Sequence, residues 1–352
     1  MERIRLGGTD LYVSRTAFGV LPAQRIPKQE AARILRRAYE AGINFFDTAR
    51  SYTDSEEKLG YALGSVRRQV VIATKSGATS RRALLQDLET SLDALGTDYV
   101  DLLQLHNPKH LPDPADPESS YAGLLEARRR GMIRHFGLTN HARENALAAL
   151  ASGLYETIQF PLCMISSADD LALIAACRKA QVGLIAMKPL SGGLLTNARA
   201  AFAFLRQFDN VVPIWGIQRL EELEQFIDWE AQPPPLDEAT WSAIRRDREE
   251  LAGRFCRACG YCLPCPAEIP IPMAARMGLC LRRMPYQQFL SDDWRLKMNR
   301  IRHCAGCGAC ARRCPYGLDT PALLRQMLAE YEAFLAAHGA APLSAASVAA
   351  AT

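Results

Sequence analysis

Over roughly the first 230 residues, short apolar runs alternate with longer stretches whose apolar residues recur every three or four positions. The runs at 15–21, 43–46, 70–74, 100–104, 133–138, 157–160, 183–187 and 211–217 read as eight short strands buried on both faces. Between them, 28–39, 82–95, 117–130, 169–180 and 220–228 each carry an apolar stripe and predict amphipathic helices. Eight strand–helix units in this length predict an α/β fold, a closed (β/α)8 TIM barrel rather than an open sheet. A strand ahead of these, around 4–13 with Gly7 and Gly8 at its turn, predicts a hairpin plugging the bottom of the barrel.

Beyond residue 230 the pattern changes. Three successive prolines, Pro233 to Pro235, make a stiff linker, and 237–253 reads as one amphipathic helix. A further helix is expected over 320–337, with Pro321 at its start, followed by an Ala-rich end that frays. At 352 residues, 49% of them hydrophobic, the chain has material for two domains. The first ten residues include Glu2, Arg3 and Arg5 and form no signal-peptide core, and no stretch approaches the ~20 apolar residues of a membrane span. A soluble, cytoplasmic protein with no membrane partner is the expectation.

The net charge of +4 is too small to argue for nucleic acid, but its distribution is uneven. Residues 254–320 hold 11 Lys/Arg against 4 Asp/Glu. Nine of the eleven cysteines fall in the same stretch, leaving Cys163 and Cys177 alone in the first part of the chain. An odd count without a secretion signal argues against a disulfide framework. The spacing is regular: Cys256, Cys259, Cys262 and Cys265-Pro266 form one run, and Cys304, Cys307, Cys310 and Cys314-Pro315 another. Three thiolates two residues apart can wrap one iron–sulfur cube, while the fourth Cys, followed by Pro, reaches the other cube. Two [4Fe–4S] clusters are therefore expected. Cys256, Cys259, Cys262 and Cys314 would hold one; Cys304, Cys307, Cys310 and Cys265 would hold the second. Structural zinc is the competing reading, but it needs only four ligands. Cys280 belongs to neither run and reads as a small buried apolar residue. The excess of Arg then offsets cluster charge, and no nucleic-acid partner is expected.

A barrel of this kind keeps its chemistry at the C-terminal ends of its strands. Asp47, Lys75 and His106 stand after the second, third and fourth strands, and Tyr52 follows in the second loop. Each alone has a structural use, as a cap, an ion pair or a turn. Together they make a proton-transfer device: Tyr52 as the acid, Lys75 to stabilise its phenolate, Asp47 to fix Lys75, and His106 to orient a carbonyl.

The segments 43–52 (Ile-Asn-Phe-Phe-Asp-Thr-Ala-Arg-Ser-Tyr), 73–75 (Ala-Thr-Lys) and 101–106 (Asp-Leu-Leu-Gln-Leu-His) resemble the signatures of the aldo/keto reductases. The resemblance covers the chain from Leu6 to about Asp228, and the whole chain resembles the branch with a C-terminal ferredoxin-like domain. With the proline linker and the cysteine runs, the expected boundaries are 1–230 for the barrel, 231–253 for linker and helix, 254–320 for the two-cluster domain and 321–352 for the last helix and tail. The resemblance implies the catalytic set Tyr52, Asp47, Lys75 and His106, and NAD(P)H bound across the barrel mouth. Thr139, Asn140 and Gln159 would take the carboxamide. Lys188, Gly192 and Gly193 would lie along the diphosphate, and Gln218 and Arg219 at the adenosine end. Departures cluster at that end: Trp215 and Phe226 replace the residues usual there, and Glu221 and Glu222 repel a 2′-phosphate unless Arg219 outweighs them.

Nicotinamides pass two electrons as hydride, whereas each cluster passes one. Three readings follow. The chain is a carbonyl reductase or alcohol dehydrogenase on a small-molecule substrate. Alternatively, its clusters exchange single electrons with substrate, or with a soluble electron carrier. The third is a redox-sensing ligand-binding protein, against which the complete tetrad argues.

Overall fold

The computed structural model describes residues 1–251, 255–314 and 316–339. A hairpin of β1 (Arg3–Arg5) and β2 (Tyr12–Ser14) comes first. The eight expected strands follow: β3 (Ala17–Gly19), β4 (Phe45–Asp47), β5 (Val71–Ser76), β6 (Val100–His106), β7 (Ile133–Thr139), β8 (Thr157–Pro161), β9 (Gly183–Met187) and β10 (Val211–Gly216). They close in the order β10-β3-β4-β5-β6-β7-β8-β9, so no barrel edge is left unpaired. Helices fill the connections: α1 (Lys28–Glu40), α2 (Ser55–Leu63), α3 (Arg81–Leu95), α4 (Ser120–Arg129), α5 (Arg143–Ser152), α6 (Ala168–Ala180), α7 (Ala198–Arg206) and α8 (Leu220–Ala231). Three of them open on serines, Ser80, Ser119 and Ser167, whose hydroxyls accept the backbone N–H three residues on. Such a cap contributes about 1 kcal/mol and marks where each loop gives way to helix.

The hairpin fills the N-terminal end of the barrel. Leu6, Leu11 and Val13 share one buried cluster with Phe45, Val71, Leu102, Ile185 and Val212 from the strand starts. Gly7 has φ +59°, and a Cβ there would stand 2.2 Å from the backbone nitrogen of Gly183. Only glycine lets the turn approach β9 so closely.

Polar groups lock the same end. His135 lies between two carboxylates, with Nδ1 2.8 Å from Glu156 and Nε2 2.6 Å from Asp10 in the hairpin turn. The hydrogen bond to Glu156 is the largest cause holding the imidazolium pKa above its ordinary value, with Asp10 adding to it against burial. A raised folded-state pKa stabilises fully below the unfolded value of about 6.5, and that stability is lost as pH rises through the folded value. Thermal melts from about pH 6 to about pH 9 should therefore show a decline of about 1 kcal/mol that His135→Gln removes. Arg134, 3.0 Å from Asp10, keeps part of the clamp at every pH.

The chain divides into two compact units, Met1–Pro189 with Arg199–Ile244, and Leu190–Ala198 with Arg245–Thr352. The division falls inside helix α9 (Glu238–Glu250). The loop after β9 also goes with the second unit. Its carbonyls explain this: Arg276 Nη2 donates to Gly192 O at 3.0 Å, and Arg283 Nη1 donates to Leu194 O at 2.8 Å. The end of the helix expected to run to residue 253 lies outside the described residues.

In the second unit, α10 (Ile271–Ala274), α11 (Met277–Arg283), α12 (Asp292–Asn299), α13 (Ala309–Arg312) and α14 (Thr320–Ala337) are short except the last. Helix α14 has the bounds read from the sequence, with Pro321 in its first turn and Asp319 accepting from the N–H of Ala322. Most of the Ala-rich end, 340–352, lies outside the described residues. Among the described residues no helix is long and apolar enough to cross a membrane.

Candidate active site and cluster cavities

Asp47 ends β4, Lys75 lies in β5, and His106 ends β6, so three neighbouring strands deliver three of the four side chains. Lys75 Nζ donates to Asp47 Oδ1 at 2.5 Å and to Thr48 O at 2.7 Å. Both partners of this ion pair are at most 2% exposed. Tyr52 sits in the turn after β4, where its N–H donates to Ala49 O at 3.0 Å. Its ring lies 5.3 Å from Lys75 Nζ and meets the His106 ring edge-on at 5.7 Å. All four residues converge.

Burial dominates the electrostatics of this cluster. It pushes the Asp47 carboxyl up, opposed by Lys75 and by the amides of Gln159 and Gln104. It also lowers His106, with help from the Lys75 charge, to about 3, so the imidazole is neutral across the physiological range. Tyr52 departs from the expectation drawn from its neighbours. Desolvation of the phenolate outweighs the pull of Lys75, and Asp47 adds to it, so the pKa is raised rather than lowered. The hydroxyl therefore keeps its proton at neutral pH, as a donor must.

Around the tetrad, Gln104 Nε2 donates to Gln159 Oε1 at 2.8 Å and approaches Asp47 Oδ2 at 3.3 Å. Thr139 is in register with both His106 and Gln159 at the strand ends. Asn140 is committed within the chain: its Nδ2 donates to Pro108 O at 2.9 Å and its Oδ1 accepts from the Ala142 N–H at 2.8 Å. Lys188 follows β9 with φ +54° and acts electrostatically on His141. The Gly193 N–H donates to Leu190 O at 3.0 Å and closes a turn. Arg219 is spent on Glu222, Nε to Oε1 at 2.9 Å, and Glu222 also accepts the backbone N–H of Gln218 at 2.9 Å.

In the second unit the cysteines surround two cavities. One is lined by Cys256, Cys259, Cys262 and Cys314 together with Arg257, Tyr316 and Thr320. The other is lined by Cys265, Cys304, Cys307 and Cys310, with Cys262 shared between the two. Each fourth thiol thus comes from the opposite run. Among the described residues no three His, Cys, Asp or Glu side chains converge tightly enough for one metal ion. Eight thiols around two such spaces are the donor type that iron–sulfur clusters use.

The comparisons agree with both halves. A model of the aldo/keto reductase family matches residues 15–203. The chain belongs to that family. A second model, a 4Fe-4S dicluster domain, matches residues 255–319. This aldo/keto reductase is 30% identical over 214 residues to an uncharacterised oxidoreductase, YqkF, of Bacillus subtilis, covering 56% of the chain and 67% of that protein. It is 28% identical over 227 residues to the NADH-specific methylglyoxal reductase of Escherichia coli, covering 56% and 70%. The chain thus spans about two thirds of the length of these relatives. An aldo-keto reductase of Bacillus halodurans in its holo form has the same fold, with a TM-score of 0.61, 22% identity, and coverage of 70% of this chain and 96% of that one. The protein is an oxidoreductase with an iron–sulfur domain.

Two further side chains of this reductase's site are not singled out from the sequence. Gln104 links Asp47 to Gln159, and its alternation within β6 beside Lys75 is the available signal. His141 is buried, its N–H donating to Asn107 Oδ1 at 3.1 Å. Burial, Lys188 and His106 keep it neutral, and its place directly after Asn140 is the clue to it.

Proposed function

We propose that this aldo/keto reductase interconverts a small-molecule carbonyl and its alcohol, using Tyr52 as general acid/base and a nicotinamide dinucleotide. The supporting observation is the buried Lys75–Asp47 pair set beside Tyr52 and a neutral His106. The nicotinamide, when bound, supplies the hydride. The chain's own residues do the rest. His106, with Nδ1 3.4 Å from Ser51 Oγ, offers Nε2 to the carbonyl oxygen and orients it. Tyr52 gives its proton to that oxygen, and the tethered Lys75 ammonium steadies the phenolate left behind. In the reverse direction the phenolate takes the proton of the alcohol. Thr139 and Gln159 hold the carboxamide, Asn140 shapes the loop beside them, and Lys188 supplies a cation for the diphosphate. With Arg219 tied to Glu222, the adenosine end favours NADH over NADPH.

The second unit holds two [4Fe–4S] clusters. Cys256, Cys259, Cys262 and Cys314 ligate one; Cys304, Cys307, Cys310 and Cys265 ligate the other. Such clusters supply one electron at a time. Cys262 lines both cavities, and this closeness favours a second reading in which electrons pass between the clusters and a soluble carrier.

Anaerobic purification tests the proposal on one sample. The expected result is ~8 iron and ~8 acid-labile sulfide per chain, with NADH titrating more tightly than NADPH. Absence of any dinucleotide binding would sink the reductase reading. Cluster EPR signals that appear during turnover, at the turnover rate, would move the assignment to the electron-transfer reading.

A further inference from the structure

Arg276 is only 4% exposed, yet no ion pair with a carboxylate balances it among the described residues. Its Nη2 donates to Gly192 O at 3.0 Å, while its buried Nε–H has no partner. A guanidinium does not give up its proton in a protein, so burying one without an anion is strongly unfavourable. A side chain in this position requires negative charge nearby. The surroundings point to one source. Ala275 and Ile271, on the same short stretch, line the cavity of Cys256, Cys259, Cys262 and Cys314. The guanidinium is also near enough to act electrostatically on the Cys256 and Cys280 thiols. Four thiolates on a [4Fe–4S] cube leave that cavity with a net negative charge.

We propose that Arg276 is the buried counter-ion of the first cluster, held against it by the carbonyl of Gly192. The inference rests on the cluster reading above. Arg257 also lines the cavity, but it is half-exposed and lies over the Tyr316 ring at 4.8 Å. Water already solvates it, so its charge is screened. Arg276 has no such solvent. The arrangement also makes the residue a positioning group for the loop: a Cβ at Gly192 would stand 3.2 Å from Arg276 Nη1. One cation thus answers to the cluster on one side and to a backbone carbonyl on the other.

A fixed positive charge stabilises the reduced, more negative cluster and raises its reduction potential. Arg276→Gln in the full-length, anaerobically purified protein should therefore disfavour reduction of one cluster about tenfold, ~59 mV lower for a one-electron couple. The second cluster should not move. Dithionite titration followed by EPR reads both. Arg276→Lys should restore most of the shift, and Arg257→Gln should produce a smaller one. Two wild-type potentials in Arg276→Gln, with iron and sulfide intact, would overturn the assignment. If Arg276→Gln loses the first cluster outright, Arg276→Lys decides. Retention at a near wild-type potential upholds the counter-ion, and loss there too overturns it, because charge would be present and insufficient. A wild-type chain that takes up no cluster refutes the cluster reading itself, before any variant is made.

Discussion

Tyr52→Phe should lower kcat for carbonyl reduction by roughly 10²–10⁴-fold, the range that a positioned general acid contributes. At ~1.36 kcal/mol per decade this is about 3–5 kcal/mol of transition-state stabilisation. The substitution is well posed, because the ring survives. Phe keeps the edge contact with His106 and the place beside Lys75, so only the hydroxyl is lost. Dinucleotide affinity and cluster content should be unchanged, which separates lost chemistry from lost folding. The pH dependence carries a second check. Burial holds the Tyr52 phenol above its ordinary pKa, so wild-type reduction should be flat through neutrality and fall only in the alkaline range. Oxidation of the alcohol needs the phenolate and should rise with pH instead. His106, neutral down to about pH 3, adds no inflection between. A Tyr52→Phe enzyme that keeps more than about a tenth of wild-type kcat would exclude Tyr52 as the acid.

Cys314→Ala should cost about half the iron and sulfide, with the remaining cluster giving one EPR signal. Cys314 belongs to the second run, but lines the cavity of the first. Its loss should therefore remove the cluster of Cys256, Cys259 and Cys262 and spare that of Cys304, Cys307 and Cys310. Cys265→Ala should do the converse. Because ligand binding free energy is folding free energy in small metal-bearing domains, either change should also lower the melting temperature of the second unit. Cys280→Ala is the control: it is buried, lines neither cavity, and should keep full iron. Full iron in both Cys314→Ala and Cys265→Ala would rule out crossed ligation.

Much of this is legible in the sequence, and for identifiable reasons. The strands are buried on both faces, so each run of apolar residues announces itself, and the observed ends differ by only a few residues. Helix α2 is harder to see because Glu56 and Lys58 are buried in it, Glu56 accepting from Thr74 Oγ1 at 2.6 Å and Lys58 donating to Ile26 O at 2.8 Å. Polar partners thus break the apolar stripe. The cysteine runs are legible because spacing alone determines which sulfurs a loop can turn inward. The sign of the Tyr52 shift is not, since neighbours can be named from sequence while burial cannot. The commitment of Gly193 and Arg219 is invisible for a related reason: hydrogen bonds to a backbone carbonyl or to one of several glutamates leave no compositional trace.

The chain passes between its two units at residue 189, at 198 and again within α9. A truncated chain ending after the barrel would keep Asp47, Tyr52, Lys75 and His106, yet strand the Leu190–Ala198 excursion without the arginines that hold its carbonyls. Conversely, an excised cluster segment would lack a piece of its own packing. The iron–sulfur portion is therefore not a detachable cartridge. Grafting it onto a single-domain reductase would require transplanting the β9 loop with it, three junctions rather than one.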